Sequence, residues 1–407
     1  MLILHITNLF ISDFLTKQNQ FLNPHQIYVY IMFHKKIPYG HQYIDDADIK
    51  AVTDVLQSDW LTQGPLIEQF EEAVAAYCNA KYAVAVNSAT SALHIACKAA
   101  GLSPDDVLWT SPNTFVASAN CAYYCGADPD FVDIDPQTYN LSPSALKEKL
   151  AKNKPPKVLI PVHFAGQSCD MQTIRHLMPE DTVIIEDASH AIGGRYQGNP
   201  IGCCQYSDMA VFSFHPVKII TSAEGGMVLT NNKEYYEKLK QYRSHGIIKT
   251  GSLDPWIYEQ RELGWNYRMP DVLAALGLSQ LQKLDMFVKE RNRLAARYHT
   301  LLSSLPVTLP SLADGIYSSW HLYVIWVDQS IRRTLYDYLH EHGIGVNVHY
   351  IPVHTQPYYQ DRGFRTGQYP NAEKYYAGAI TLPLYYGLSD PEQEYIVAMI
   401  KKWIENE

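Results

Sequence analysis

Polar and apolar positions along this chain follow two spacings in turn. Over DDADIKAVTDVLQSD, Ile49, Val52, Val55 and Leu56 recur at helical intervals and predict an amphipathic helix from Asp45. A loop, Ser58–Pro65 (SDWLTQGP), is punctuated by Gly64 and Pro65, and PLIEQFEEAVAAYCNA predicts a second helix. Tyr82–Gly101 then reads as strand, tight turn, helix. After it, short apolar runs alternate with helical segments: VLWTSP, a helix from Phe115 to Tyr124 stopped by Gly126, DFVDID, KVLIPVHF, TVIIEDA and MAVFSF. Gly226–Thr230 reads as one further strand. Runs this uniformly apolar belong to strands covered on both faces, so the expected fold is α/β, with a mostly parallel sheet between helices.

The C-terminal part has a different rhythm. One long helix from Pro270 to about Leu302 bridges two lobes, and Trp320–Val327 reads as a strand. RRTLYDYLHEHGI is an amphipathic helix closed by Gly343, and Gly345–Tyr359 is a loop dense in His, Tyr and Pro, a composition suited to binding. The expected division is a leader at 1–36, a large domain at 37–280 and a smaller C-terminal α/β domain at 281–407. The segment between Thr250 and Gln260 is expected to be a loop. The leader lacks a cationic start, and His5 and Asn8 interrupt its apolar run, so it is a poor secretion signal. Met32 is the expected natural start, with residues 1–31 a disordered tail or an annotation artefact.

Composition narrows the function classes. The chain of 407 residues is 47% hydrophobic and 18% charged, as a globular enzyme is. A net charge of −9 argues against a general affinity for nucleic acid or anionic membrane. Seven cysteines, an odd number without a C-x-x-C pair, fit reduced thiols in the cytoplasm, with Cys121 and Cys125 packed on one helix. The histidines show no ligand spacing, so no metal is expected.

Chemistry concentrates at three strand ends. Ser213, His215 and Lys218 follow the Met209–Phe214 run on a short turn with Pro216. A lysine among apolar neighbours loses part of its preference for the charged form and can attack an aldehyde. Asp187 ends the Val183–Ile185 strand, at the edge where open parallel sheets bind ligands. Asn87, Ser88, Ala89 and Thr90 form a strand-to-helix turn whose backbone N–H groups can hold an anion. A phosphate cradle, a carboxylate and a buried lysine together suit pyridoxal phosphate, with Asp187 on the ring nitrogen and Lys218 on the aldehyde.

NSATSALHIA, TSPNTFVASANC, VDIDPQTYN, PVHFAGQSCDM, EDASHAIGG, FSFHPVKIITSAEGGM and GWNYRMPDVLAALGLSQL stand in the order found in one family. From about Ile37 to its end the chain resembles the fold-type-I pyridoxal-phosphate sugar aminotransferases, and within them the branch of pseudaminic acid biosynthesis. The resemblance implies catalytic roles for Lys218, Asp187 and His190. It implies cofactor contacts for Ala89, Thr90, Phe115 and Ser213, the last a phosphate-binding hydroxyl. Ala89 stands where many relatives have Gly. Asn266 would reach the phosphate of a neighbouring subunit, implying a homodimer with shared sites. Tyr39, Asp59, Trp60, Leu61, Thr62, Pro352 and His354 would lie near the substrate. The implied donor is glutamate, and the implied acceptor is UDP-2-acetamido-2,6-dideoxy-β-L-arabino-hex-4-ulose, aminated at C4. A different keto-sugar nucleotide, with a D-configured C4 or a C3 ketone, would use the same cofactor residues. Lys218 argues against the related dehydratases that carry histidine there. The leader is too small and insufficiently basic to make the chain a DNA-binding regulator.

Overall fold

A computed structural model of the protein describes residues 36–249, 251, 254 and 256–406; the expectations about residues 1–31 and Met32 lie outside them. Seven strands form the central sheet: β1 (Tyr82–Val86), β2 (Val107–Thr110), β3 (Asp128–Phe131), β4 (Val158–Ile160), β5 (Val183–Asp187), β6 (Met209–Ser213) and β7 (Gly226–Thr230). Their spatial order is β1-β7-β6-β5-β4-β2-β3, and only β7 runs antiparallel to its neighbours. The mostly parallel α/β sheet expected from the apolar runs is therefore present. Because β7 is reversed between β1 and β6, Val86 and Ser213 both pair with Gly226. The carboxyl ends of β1, β5 and β6 consequently share one edge.

The strands alternate their side chains between two cores. On one face Val84, Val86, Ile185, Met209 and Val211 pack with Leu93, Ala96 and Cys97 of helix α3 (Ala89–Ala99) and Cys121 of α4 (Ala117–Tyr124). On the other, Ala85, Ala210, Phe212 and Met227 meet Phe70 and Val74 of α2 (Pro65–Cys78) and Ala274 of α5 (Asp271–Leu281). Helix α1 (Asp46–Leu56) lies against α5, held by Lys283, whose amine reaches Asp45 and Asp48 at 2.7 Å each. Cys121 on α4 and Cys125, which follows its last residue as the cap, are both buried in the same core.

The long helix expected from Pro270 is two helices, α5 and α6 (Leu284–Leu302), broken at Gln282 and Lys283 where the ion pairs to α1 form. Leu284, Phe287 and Val288 of α6 belong to the large core, whereas Leu294, Tyr298 and Leu302 belong to the C-terminal one, so this helix bridges the lobes. The smaller lobe pairs β8 (Tyr323–Trp326) with β9 (Ala379–Leu382). Ile37 also packs there, bridged to Ile344, although the sequence reading assigns it to the large domain. An early segment can join a late core because only tertiary contact decides it. Part of the segment expected as a loop between Thr250 and Gln260 is regular: Ile247–Lys249 pairs with Tyr258–Gln260.

Candidate active site

At the shared strand edge lies a cavity of about 310 Å³, within the range of small-molecule sites. Asp187 continues the parity of Val183 and Ile185, and Ser213 that of Met209 and Val211, so both side chains leave the sheet on the α3–α4 face. Glu186 points to the opposite face, where it holds His163 at 2.6 Å and Ser207 at 2.5 Å.

The turn after β1 becomes the start of α3. Ser88 caps the helix by accepting from the Ser91 N–H at 3.1 Å, and the next residues, Ala89 and Thr90, line the cavity. N–H groups of a first turn have no partner within the helix and sit at its positive end, so they can receive a phosphate. Gly226 makes the approach possible. A Cβ there would lie 2.5 Å from Ala89 N and from Ser88 C and O, all backbone atoms. Only a residue without a side chain lets β7 pass under the cradle.

Across the cavity Asp187 is 5% exposed. Its Oδ2 accepts from the Ser118 hydroxyl at 2.6 Å and its Oδ1 from the Ser189 N–H at 3.1 Å, and Thr114 in turn sits 2.8 Å from Ser118 Oγ. These bonds fix a carboxylate at the cavity wall, where it could pair with a protonated ring nitrogen. Lys218 lines the same cavity; burial draws its amine down to about 8, against the opposing pull of Asp187. The amine is thus neutral far more often near neutral pH than a solvated one. His190 is buried, and Nδ1 accepts from the Ala165 N–H at 3.3 Å, which leaves the proton on Nε2, 3.1 Å from the Tyr350 hydroxyl. Burial, then Lys218 and His349, hold His190 well below its usual range, so it is a neutral donor. The cradle, the held carboxylate and an amine that loses its proton readily fit pyridoxal phosphate.

Lys218, Asp187, His190, Ser213, Ala89, Thr90, Phe115 and Tyr39 all line this one cavity. Phe115 is 59% exposed with its ring 6.3 Å from Tyr350, leaving a face for a flat ligand. The remaining expected residues are elsewhere. Asn266 is exposed outside the cavity of its own chain, bridged to Ser244. Asp59, Trp60, Leu61 and Thr62 are exposed; the Leu61 carbonyl accepts from Asp271 N at 3.0 Å, and Trp60 borders a separate cavity of about 460 Å³ beside α1 and α5. Pro352 and His354 do not reach the cavity. The His354 ring is buried against Phe131 and Tyr369, with Nε2 2.9 Å from Glu373, so in its own chain it packs beneath the loop instead of lining the cavity near which the resemblance places it.

Thr114, Ser118, His321, His349 and Tyr350 were missed as site residues. The four-residue spacing of Thr114 and Ser118 across a helix start was the one local signal, but their target is 69 residues away. Tyr350 and His349 stood in a stretch already noted as a binding loop.

Comparison with known proteins gives one consistent match. The family model described as the DegT/DnrJ/EryC1/StrS aminotransferase family matches residues 42–401. The spore coat polysaccharide biosynthesis protein SpsC of Bacillus subtilis is 39% identical over 90% of this chain and 96% of its own. A UDP-4-amino-4,6-dideoxy-N-acetyl-β-L-altrosamine transaminase of Campylobacter jejuni is 37% identical over 88% and 95%. Among solved structures, Helicobacter pylori PseC, an aminotransferase of pseudaminic acid biosynthesis, superposes with a TM-score of 0.85 at 34% identity, covering 92% of this chain and 100% of that one. A putative sugar aminotransferase of Streptococcus pneumoniae in its pyridoxal-phosphate form gives 0.85 at 30% identity, covering 91% and 99%.

Proposed function

Given that the chain belongs to the DegT/DnrJ/EryC1/StrS aminotransferase family, we propose that it moves an amino group from glutamate to C4 of a UDP-linked 4-keto-6-deoxy-N-acetylhexosamine, UDP-2-acetamido-2,6-dideoxy-β-L-arabino-hex-4-ulose, in pseudaminic acid biosynthesis. Its coarser identity needs no proposal: it is a sugar aminotransferase, and its cofactor is pyridoxal phosphate. The observation that carries the chemistry is the Lys218 amine, drawn down to about 8 beside Asp187 in the cavity under the α3 cradle. The acceptor is supported by the activity for which the Campylobacter jejuni relative is named and by the pathway of the Helicobacter pylori enzyme.

Bound pyridoxal phosphate supplies an aldehyde that takes up amines and a ring that delocalises the electrons of a neighbouring carbon. The chain's own residues do the rest. Ala89, Thr90 and Ser213 would grip the phosphate, and Asp187, fixed by Ser118 and Ser189, would keep a proton on the ring nitrogen. Lys218 Nζ, when free, would take the donor's α-proton and deliver it to the carbon that was the cofactor's aldehyde, because a poorly solvated amine accepts and releases protons near neutral pH. The hydrogen-bonded pair of His190 Nε2 and the Tyr350 hydroxyl would orient the polar edge of the ring. In the homodimer that is part of this reading, Asn266 and the Asp59–Thr62 loop serve the partner's cavity. Their exposure in their own chain supports that role. A cytoplasmic location is also part of it, supported by seven free thiols.

The test is incubation of the holoenzyme with ¹⁵N-glutamate and the 4-keto nucleotide, followed by NMR of the product. The reading requires label on C4. Label at C3, or no transfer while another keto-sugar nucleotide is aminated, would refute it. The Bacillus subtilis match to a polysaccharide protein makes that second outcome the specific rival.

A further inference from the structure

Among the described residues no arginine and no lysine other than Lys218 lines the cavity, and its carboxylates are Asp187 and the exposed Glu224. An amino-acid donor brings an α-carboxylate that needs a hydrogen-bond donor in the cavity. Resting on glutamate as the donor, we propose that His321 receives the donor carboxylate.

Three observations point to this imidazole. His321 lines the cavity although only 5% exposed, with its ring 4.3 Å from that of His190. Its Nδ1 is buried without a hydrogen-bond partner. The tautomer that leaves a bare lone pair there, the cheaper group to strand, carries its proton on Nε2 and offers that N–H to a ligand. Behind it lies Arg291, 2% exposed, whose Nη1 donates to the carbonyls of Trp320, His321 and Leu384 at 3.1, 3.4 and 2.9 Å. That guanidinium touches carbonyls rather than a carboxylate, so its charge is not cancelled locally and makes this wall electropositive. His190 cannot substitute, because both its nitrogens are engaged. His349 is also committed, with Nδ1 2.8 Å from Thr381 Oγ1 and Nε2 3.4 Å from Asn347. Of the three buried histidines lining the cavity, His321 is therefore the one whose ring N–H is unclaimed, and it lies on the side that Arg291 polarises.

The experiment is stopped-flow loss of the long-wavelength cofactor band when holoenzyme meets increasing glutamate, in wild type, His321→Phe and His321→Gln. A hydrogen bond to a carboxylate is lost in the phenylalanine variant, so its half-saturating glutamate should rise about tenfold or more. The resting cofactor spectrum should stay unchanged, and glutamine, with an N–H near the place of Nε2, should recover most of the loss. Half-saturation in the phenylalanine variant within twofold of a responsive wild type would overturn the proposal alone. Loss in both variants together with an altered resting spectrum would also overturn it, in favour of a structural role. A wild type whose band glutamate does not touch would overturn the donor assignment itself, and this inference with it.

Discussion

Gly226→Ala is the sharpest structural test of the phosphate cradle. The added Cβ would meet Ala89 N, Ser88 C and Ser88 O at 2.5 Å each, and none of these can swing away as a side-chain tip would. Either β7 drops from the edge or the start of α3 lifts, and both separate the first-turn N–H groups from Ser213, the residue paired with Gly226. Overpacking of this kind costs about 1–3 kcal/mol. If the strain is relieved only by opening the cradle, the cost falls on cofactor binding. At about 1.4 kcal/mol per factor of ten, affinity should drop roughly 5- to 150-fold. Spectroscopic titration of apoprotein with pyridoxal phosphate reads this directly. Gly40→Ala is the control, because its Cβ would meet Val217 at an ordinary 3.5 Å. Unchanged affinity in Gly226→Ala, with circular dichroism unaltered, would refute the placement of the phosphate on this turn.

Two further outcomes follow from the site. Burial lowers the Lys218 amine to about 8, so its neutral, reactive fraction falls below that value and saturates above it. Reconstitution of apoprotein should then quicken about tenfold per pH unit up to pH 8 and level off by about pH 9; a rate still climbing at pH 10 would mean an ordinary lysine. His354→Ala should cost roughly 1–3 kcal/mol of stability in denaturant unfolding, from the buried bond to Glu373, while the KM for the sugar nucleotide stays within about twofold. A large KM effect with unchanged stability would return His354 to the substrate site.

Much of this architecture could be read before any coordinates. Strands buried on both faces must be continuously apolar, so Val183–Ile185 and Met209–Phe214 announced themselves, and the groups that follow them, Asp187 and Lys218, fall at the binding edge of such a sheet. What was hidden depends on contacts between distant segments. The reversal of β7 between β1 and β6 sets Gly226 under the cradle, yet no local pattern specifies strand order. Ser118 meets Asp187 only because α4 folds back over β5. Ile37 joins the C-terminal core through a single bridge. The burial of His354 was also hidden, because a histidine suits a buried hydrogen bond to a carboxylate as well as a binding loop, and a loop's composition does not distinguish them.

The central claim is that Lys218 is the amine that carries the cofactor. Borohydride reduction of the holoenzyme, followed by peptide mass mapping, tests it without any substrate. The account predicts one stable pyridoxyl adduct, on the peptide containing Lys218, and none after prior treatment with glutamate, which frees that amine. An adduct on another lysine, or no adduct in a protein saturated with pyridoxal phosphate, would contradict it.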